Sequence, residues 1–119
     1  MKDFKKLNVW ERAHKFALET YKITRGFPKE ELYSLTDQIR RSSTSIPTNI
    51  AEGCGRDSDL EFKRFLIIAM GSSSELEYQL LLAFDLGYIE SSSYKKLNNG
   101  LIEIRKMLNS LIQKIKADN

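Results

Sequence analysis

Residues Ser58 to Gly87 read SDLEFKRFLIIAMGSSSELEYQLLLAFDLG, and the spacing of their apolar side chains decides the fold. At helical pitch one stripe is Phe62, Phe65, Leu66, Ala69, Leu76, Leu80, Ala83 and Phe84. A second row runs down the opposite side through Leu60, Arg64, Ile67, Gly71, Glu75, Tyr78 and Leu82. Its spacings are 4, 3, 4, 4, 3 and 4, a near-heptad seam. A surface helix shows one apolar stripe and one polar face. Two stripes mean deep burial or a partner chain, and a chain of 119 residues has few helices with which to cover one twice. A homo-oligomer is therefore expected, with the second row at its subunit contacts. Ser58 followed by Glu61 is a capping box, and Gly87 suits a left-handed position just past the helix end.

Working outward, three more helical patterns account for nearly all the remaining sequence. The helices are expected at about residues 8–25, 33–54, 58–86 and 92–116 of a single domain spanning 1–119. In the first, Val9, Ala13, Phe16, Ala17, Thr20 and Tyr21 share a face, with Asn8 as N-cap and Gly26 after the last turn. In the second, Leu35, Ile39, Ile46 and Ile50 point inward. Pro47 removes an amide and crowds the carbonyl of Ser43, but the register carries across it, which predicts a bent helix rather than a broken one. In the fourth, Leu97, Leu101, Ile104, Leu108, Leu111 and Ile115 repeat at 4, 3, 4, 3 and 4. Short connections make neighbours antiparallel. The fold class is all-α: an antiparallel up-down-up-down four-helix bundle.

Composition sets the outer bounds. Hydrophobic residues make up 41% and charged residues 29%, which is globular rather than disordered. No apolar run is long enough for a membrane span, and Met-Lys-Asp-Phe-Lys-Lys lacks the apolar stretch of a secretory signal. Cys54 is the only cysteine, which excludes an internal disulfide and suits a reducing cytoplasm. The net charge of +3 is unevenly spread: residues 1–29 carry +5, residues 30–94 carry −6 and residues 95–119 carry +4. Basic ends attract phosphate backbones, although a solvated lysine face explains the same pattern.

Enzymatic chemistry lacks its side chains. His14 is the single histidine and cannot build a multi-histidine metal site. The Glu-x-x-His pairs of di-iron bundles are absent, and no strand precedes a glycine-rich phosphate loop. Cys54 with His14 is formally a nucleophilic pair, but a buried thiol and a half-exposed imidazole are the plainer reading. No catalytic residue, metal or cofactor is expected.

The middle of the chain carries a resemblance. Gln38-Ile39-Arg40-Arg41-Ser42-Ser43, then Ser45-Ile46-Pro47-Thr48-Asn49-Ile50-Ala51-Glu52-Gly53-Cys54-Gly55-Arg56, resembles the family of four-helix bundle proteins encoded in 23S ribosomal RNA intervening sequences. Phe62-Lys63-Arg64-Phe65-Leu66, Gly71-Ser72, Glu75-Leu76-Glu77 and Leu86-Gly87-Tyr88-Ile89 continue it in order. The resemblance implies a bundle assembling as a ring-shaped homopentamer, with Arg40, Arg41, Pro47, Asn49, Glu52, Gly53, Gly55 and Arg56 as structural motif residues. Relatives include the accessory variability determinant of diversity-generating retroelements, which partners a reverse transcriptase and nucleic acid. The resemblance supplies no catalytic residue.

The functional expectation is a non-enzymatic, cytoplasmic oligomer that binds RNA, DNA or a nucleic-acid-processing protein through basic faces of its first and fourth helices. The candidate contacts are Lys5, Lys6, Arg12, Lys15, Lys95, Lys96, Arg105, Lys106, Lys114 and Lys116. The alternative is a protein–protein adaptor or structural assembly with no nucleic-acid contact.

Overall fold

The computed structural model describes residues 2–118. Four long helices, α1 (Asn8–Thr24), α2 (Leu35–Cys54), α3 (Asp59–Asp85) and α4 (Ser91–Asp118), follow one another with no strand among the described residues. Two 3-10 turns, Phe4–Lys6 and Lys29–Glu31, precede α1 and α2.

α1 starts differently from the capping pattern. Leu7 holds the N-cap position without a side-chain hydrogen bond, and Asn8 is already helical. The Phe4–Lys6 turn feeds directly into the helix, so the Leu7 carbonyl accepts from the Glu11 amide at 3.2 Å. The polar cap lies further out, where the Asp3 carboxylate accepts from the Lys5 amide. At the other end Gly26 has no left-handed backbone: only Gly87 has positive φ among the described residues, at 83°. Tyr21, expected on the inward face, is 40% exposed. Its ring lies 4.7 Å beneath the Arg40 guanidinium, which draws it to the edge of the α1–α2 contact.

α2 remains helical through Pro47, and Leu35, Ile39, Ile46 and Ile50 are all buried. Its serines bond across the bundle. Ser43 Oγ donates to Thr20 Oγ1 at 3.1 Å, and Arg40 Nε donates to Thr24 Oγ1 at 2.9 Å. Ser42 Oγ lies 2.7 Å from Gln79 Oε1, and the Ser45 and Ser72 hydroxyls are 2.8 Å apart. Poor helix formers thus occupy positions where a buried hydroxyl finds a partner on α1 or α3, as buried polar groups require.

α3 is capped at Ser58, whose hydroxyl accepts from the Glu61 amide at 3.1 Å. It ends in a Schellman motif: the Tyr88 amide donates to the Ala83 carbonyl and the Gly87 amide to the Phe84 carbonyl. Its buried face is Phe62, Leu66, Ala69, Ser73, Leu76, Leu80 and Ala83, joined by Gln79. Phe65 and Phe84 sit half-buried at its margins, each one position off the seam that Leu66 and Ala83 occupy. On α4 the buried seam is Leu97, Leu101, Ile104, Leu108, Ile112 and Ile115. Leu111, expected in that seam, is only half-buried; Ile112 displaces it as the register drifts by one position.

α1 packs on α2, α2 most extensively on α3, α3 on α4, and α4 more thinly back on α1. Among the described residues the backbones of the two diagonal pairs do not approach one another closely. One apolar core runs through all four helices within a body of 46 × 23 × 20 Å. No helix of the described residues is long and apolar enough to cross a membrane.

Candidate nucleic-acid interface and assembly face

Among the described residues no group of three or more His, Cys, Asp and Glu side chains could hold a metal ion. Cys54 is buried at the end of α2, where desolvation pushes its thiol above the usual range against a smaller opposing effect of Lys2. His14 stacks flat on Trp10, with ring centroids 5.0 Å apart and planes 6° apart.

The ten basic candidates divide between several surfaces. Arg12, Lys15 and Lys96 meet, lining a groove of about 450 Å³ between α1 and α4. Lys22, which sequence reasoning passed over, lines it too, as does one acid, Glu19. Lys22 and Glu19 pair at 3.4 Å, and Lys15 pairs with Glu11 at 2.9 Å. For Arg12 and Lys96 no ion pair is found among the described residues, so their charge is available. Phe16, Ile23, Leu97 and Ile104 form the apolar part of the groove, with Gly100 midway. The groove follows from the thin α1–α4 packing at a glycine, a tertiary feature for which Gly100 in mid-helix was the one local signal.

Arg105 does not belong with these cations. Its Nη1 donates to Glu77 Oε1 at 2.7 Å and its Nη2 to Ser74 at 3.2 Å, both on α3. One residue past the buried Ile104, it turns toward α3 and is spent in that contact. Lys95, Lys106, Lys114 and Lys116 are exposed along α4 outside the groove lining. Lys5 and Lys6 lie on the 3-10 turn that packs against α1 and α2.

The second row of α3 is largely exposed within one chain. Leu60 is 72%, Ile67 50% and Tyr78 62% exposed, and Arg64 and Gly71 lie between them at the surface. Ile68 and Leu81 are exposed beside them, two residues that the heptad row did not include. Leu82 is the departure: it packs, half-buried, on the chain's own core. The Glu75 carboxylate lies 3.2 Å from the Ser42 hydroxyl of α2, so it already has a polar neighbour within the chain. No heavy atom outside the local helix backbone lies within 4 Å of a Cβ placed on Gly71.

The motif residues around α2 have structural partners. Arg41 pairs with Asp37 at 2.9 Å, Arg56 with Glu52 at 3.5 Å, and Asn49 donates to the Ser45 carbonyl at 2.8 Å. Gly55 is the C-cap, and the Arg56 guanidinium lies 4.8 Å over the Phe65 ring. Gly53 sits tightly against Phe62 and Phe65 of α3.

The family model for the 23S rRNA-intervening sequence protein matches residues 5–110. No curated protein matches the sequence. Among solved structures, the fold is similar to a crystal structure of a Bacteroides thetaiotaomicron protein of unknown function from the S23 ribosomal protein family. The TM-score is 0.82 at 33% identity, over 88% of this chain and 95% of that one.

Proposed function

The chain belongs to the 23S rRNA-intervening sequence protein family, and from that premise we propose a non-enzymatic, self-associating bundle that holds nucleic acid between α1 and α4. The observation that carries this reading is the groove where Arg12, Lys15, Lys22 and Lys96 converge, Lys15 and Lys22 paired with Glu11 and Glu19, Arg12 and Lys96 without an ion pair among the described residues. Cations that neutralise phosphates release condensed counterions, so binding falls steeply with salt. Arg12 adds a planar fork suited to phosphate oxygens.

The cross-helix bonds Thr20–Ser43, Thr24–Arg40, Ser42–Gln79 and Ser45–Ser72 run in opposite order along successive helices. They support the antiparallel up-down-up-down topology. The exposed row Leu60, Ile67 and Tyr78 supports assembly through α3, and a ring of five is the number that the resemblance implies. A cytoplasmic setting suits the single buried thiol. A protein adaptor is the second reading, favoured by the same α3 row if the groove stays empty.

The test replaces Arg12 and Lys96 by Glu, confirms the mass of the assembly, and titrates structured RNA and duplex DNA at two salt concentrations. Loss of each phosphate contact lowers the log–log salt slope by about 0.7 to 0.9. Unchanged binding removes the groove from consideration, and absence of binding by the wild-type chain at low salt favours the adaptor.

A further inference from the structure

We infer that the α1–α4 groove takes an unpaired base, which makes single-stranded nucleic acid the occupant of the site; this rests on the nucleic-acid reading above. A basic surface that served phosphates alone would need no apolar lining. Here Arg12 and Lys96, with no ion pair among the described residues, lie in the same groove as Ile23 and the outer edges of Phe16 and Leu97. Gly100 lies beside the Phe16 ring, where a Cβ would sit in ordinary contact at 3.4 Å and a long side chain would fill the lining. The combination of charge and apolar surface matches a strand whose phosphates lie along the flanks while a base enters between them. Paired bases in a duplex have their faces covered and cannot enter.

The groove holds about 450 Å³ and follows α4 from Ser93 to Ile104. At 1.5 Å per residue that is a length of roughly 17 Å. Sequence-tolerant single-strand binding commonly pairs a cationic track with apolar or aromatic surface for the bases.

The test measures anisotropy of a labelled short oligothymidylate, an abasic strand of the same length, and the matching duplex, against the full chain at low salt. The abasic strand keeps the charge and removes the bases. The oligothymidylate should bind about tenfold tighter than the abasic strand, in line with the contribution of a single base contact. Gly100→Met should reduce oligothymidylate binding to the level of the abasic strand. Equal wild-type binding of the two strands overturns the base slot and leaves the basic groove standing. Binding of none of the three overturns both. An acidic amphipathic peptide that binds and displaces the oligothymidylate overturns the choice of occupant. Should Gly100→Met fail to fold, the comparison of strands on the wild-type chain still decides.

Discussion

At Gly53 α2 runs so near α3 that a Cβ would lie 2.8 Å from Phe65 Cβ and 3.1 Å from Phe62 Cδ1. The first atom is the root of a side chain, so relief requires the backbones to part. Gly53→Ala should lower stability by about 1–2 kcal/mol: overpacking costs about 1–3 kcal/mol, against a helix-propensity gain of up to ~1 kcal/mol. A denaturation midpoint at or above the wild-type value would contradict this close approach. Tyr88 gives a pH-dependent counterpart. Its hydroxyl donates to Glu31 Oε2 at 2.9 Å, and that bond first, then desolvation and the nearby carboxylates, holds the phenol above its usual range. The folded chain binds this proton more tightly than the unfolded chain. The contribution is therefore whole below the unfolded value of about 10 and lost as pH rises through the higher folded one. Thermal melts in that alkaline window should show the wild type losing more of its advantage than Tyr88→Phe; parallel losses would show that the bond contributes nothing.

Among elements, α3 was the most legible in sequence and also where the reading stopped short. Phe62, Leu66, Ala69, Leu76, Leu80 and Ala83 are apolar at heptad spacing and buried, as their periodicity required. Ser73 and Gln79 share that face but are polar, and a hydropathy pattern has no means of knowing that Ser42 of α2 waits for Gln79. Pro47 was readable because Ile46 and Ile50 preserved the register on both sides of it. Leu111 and Ile112 are adjacent and equally apolar, so only the packing of α4 could choose between them. The exposed row yields a prediction with opposite signs. Gly71 is surface-exposed with open space around it, so Gly71→Ala should stabilise the isolated chain by up to ~1 kcal/mol through helix propensity. If α3 is the subunit contact, the added methyl should weaken association. Light scattering alongside thermal melts reads both effects, and Ile67→Glu should reduce the mass to that of the monomer. A wild-type mass equal to one chain at micromolar concentration would remove the assembly face altogether.

For the whole molecule, Arg12 and Lys15 from one basic end and Lys96 from the other share a groove only because the last helix returns to lie on the first. Arg12 and Lys96 are 84 positions apart, and their shared groove depends on how α4 meets α1. Charge counting found the excess at both termini but could not separate Lys96 from Arg105, which is committed to Glu77. The groove and the exposed row of α3 lie on different helices, so assembly through α3 would leave each groove open and repeat it in every subunit. A strand long enough to reach two grooves then makes its second contact at high effective concentration, and avidity can exceed single-site affinity by about 10²–10⁴. Ile67→Glu carries no change in the groove and should leave the affinity for a short oligonucleotide within about twofold, while affinity for a long single strand falls by an order of magnitude or more. Titrating both probes against the wild type and the variant, at one salt concentration, measures the difference directly. If long and short probes weaken equally, α3 acts on the groove itself rather than by multiplying it. If neither weakens although the assembly is gone, one groove suffices and the oligomer serves another purpose.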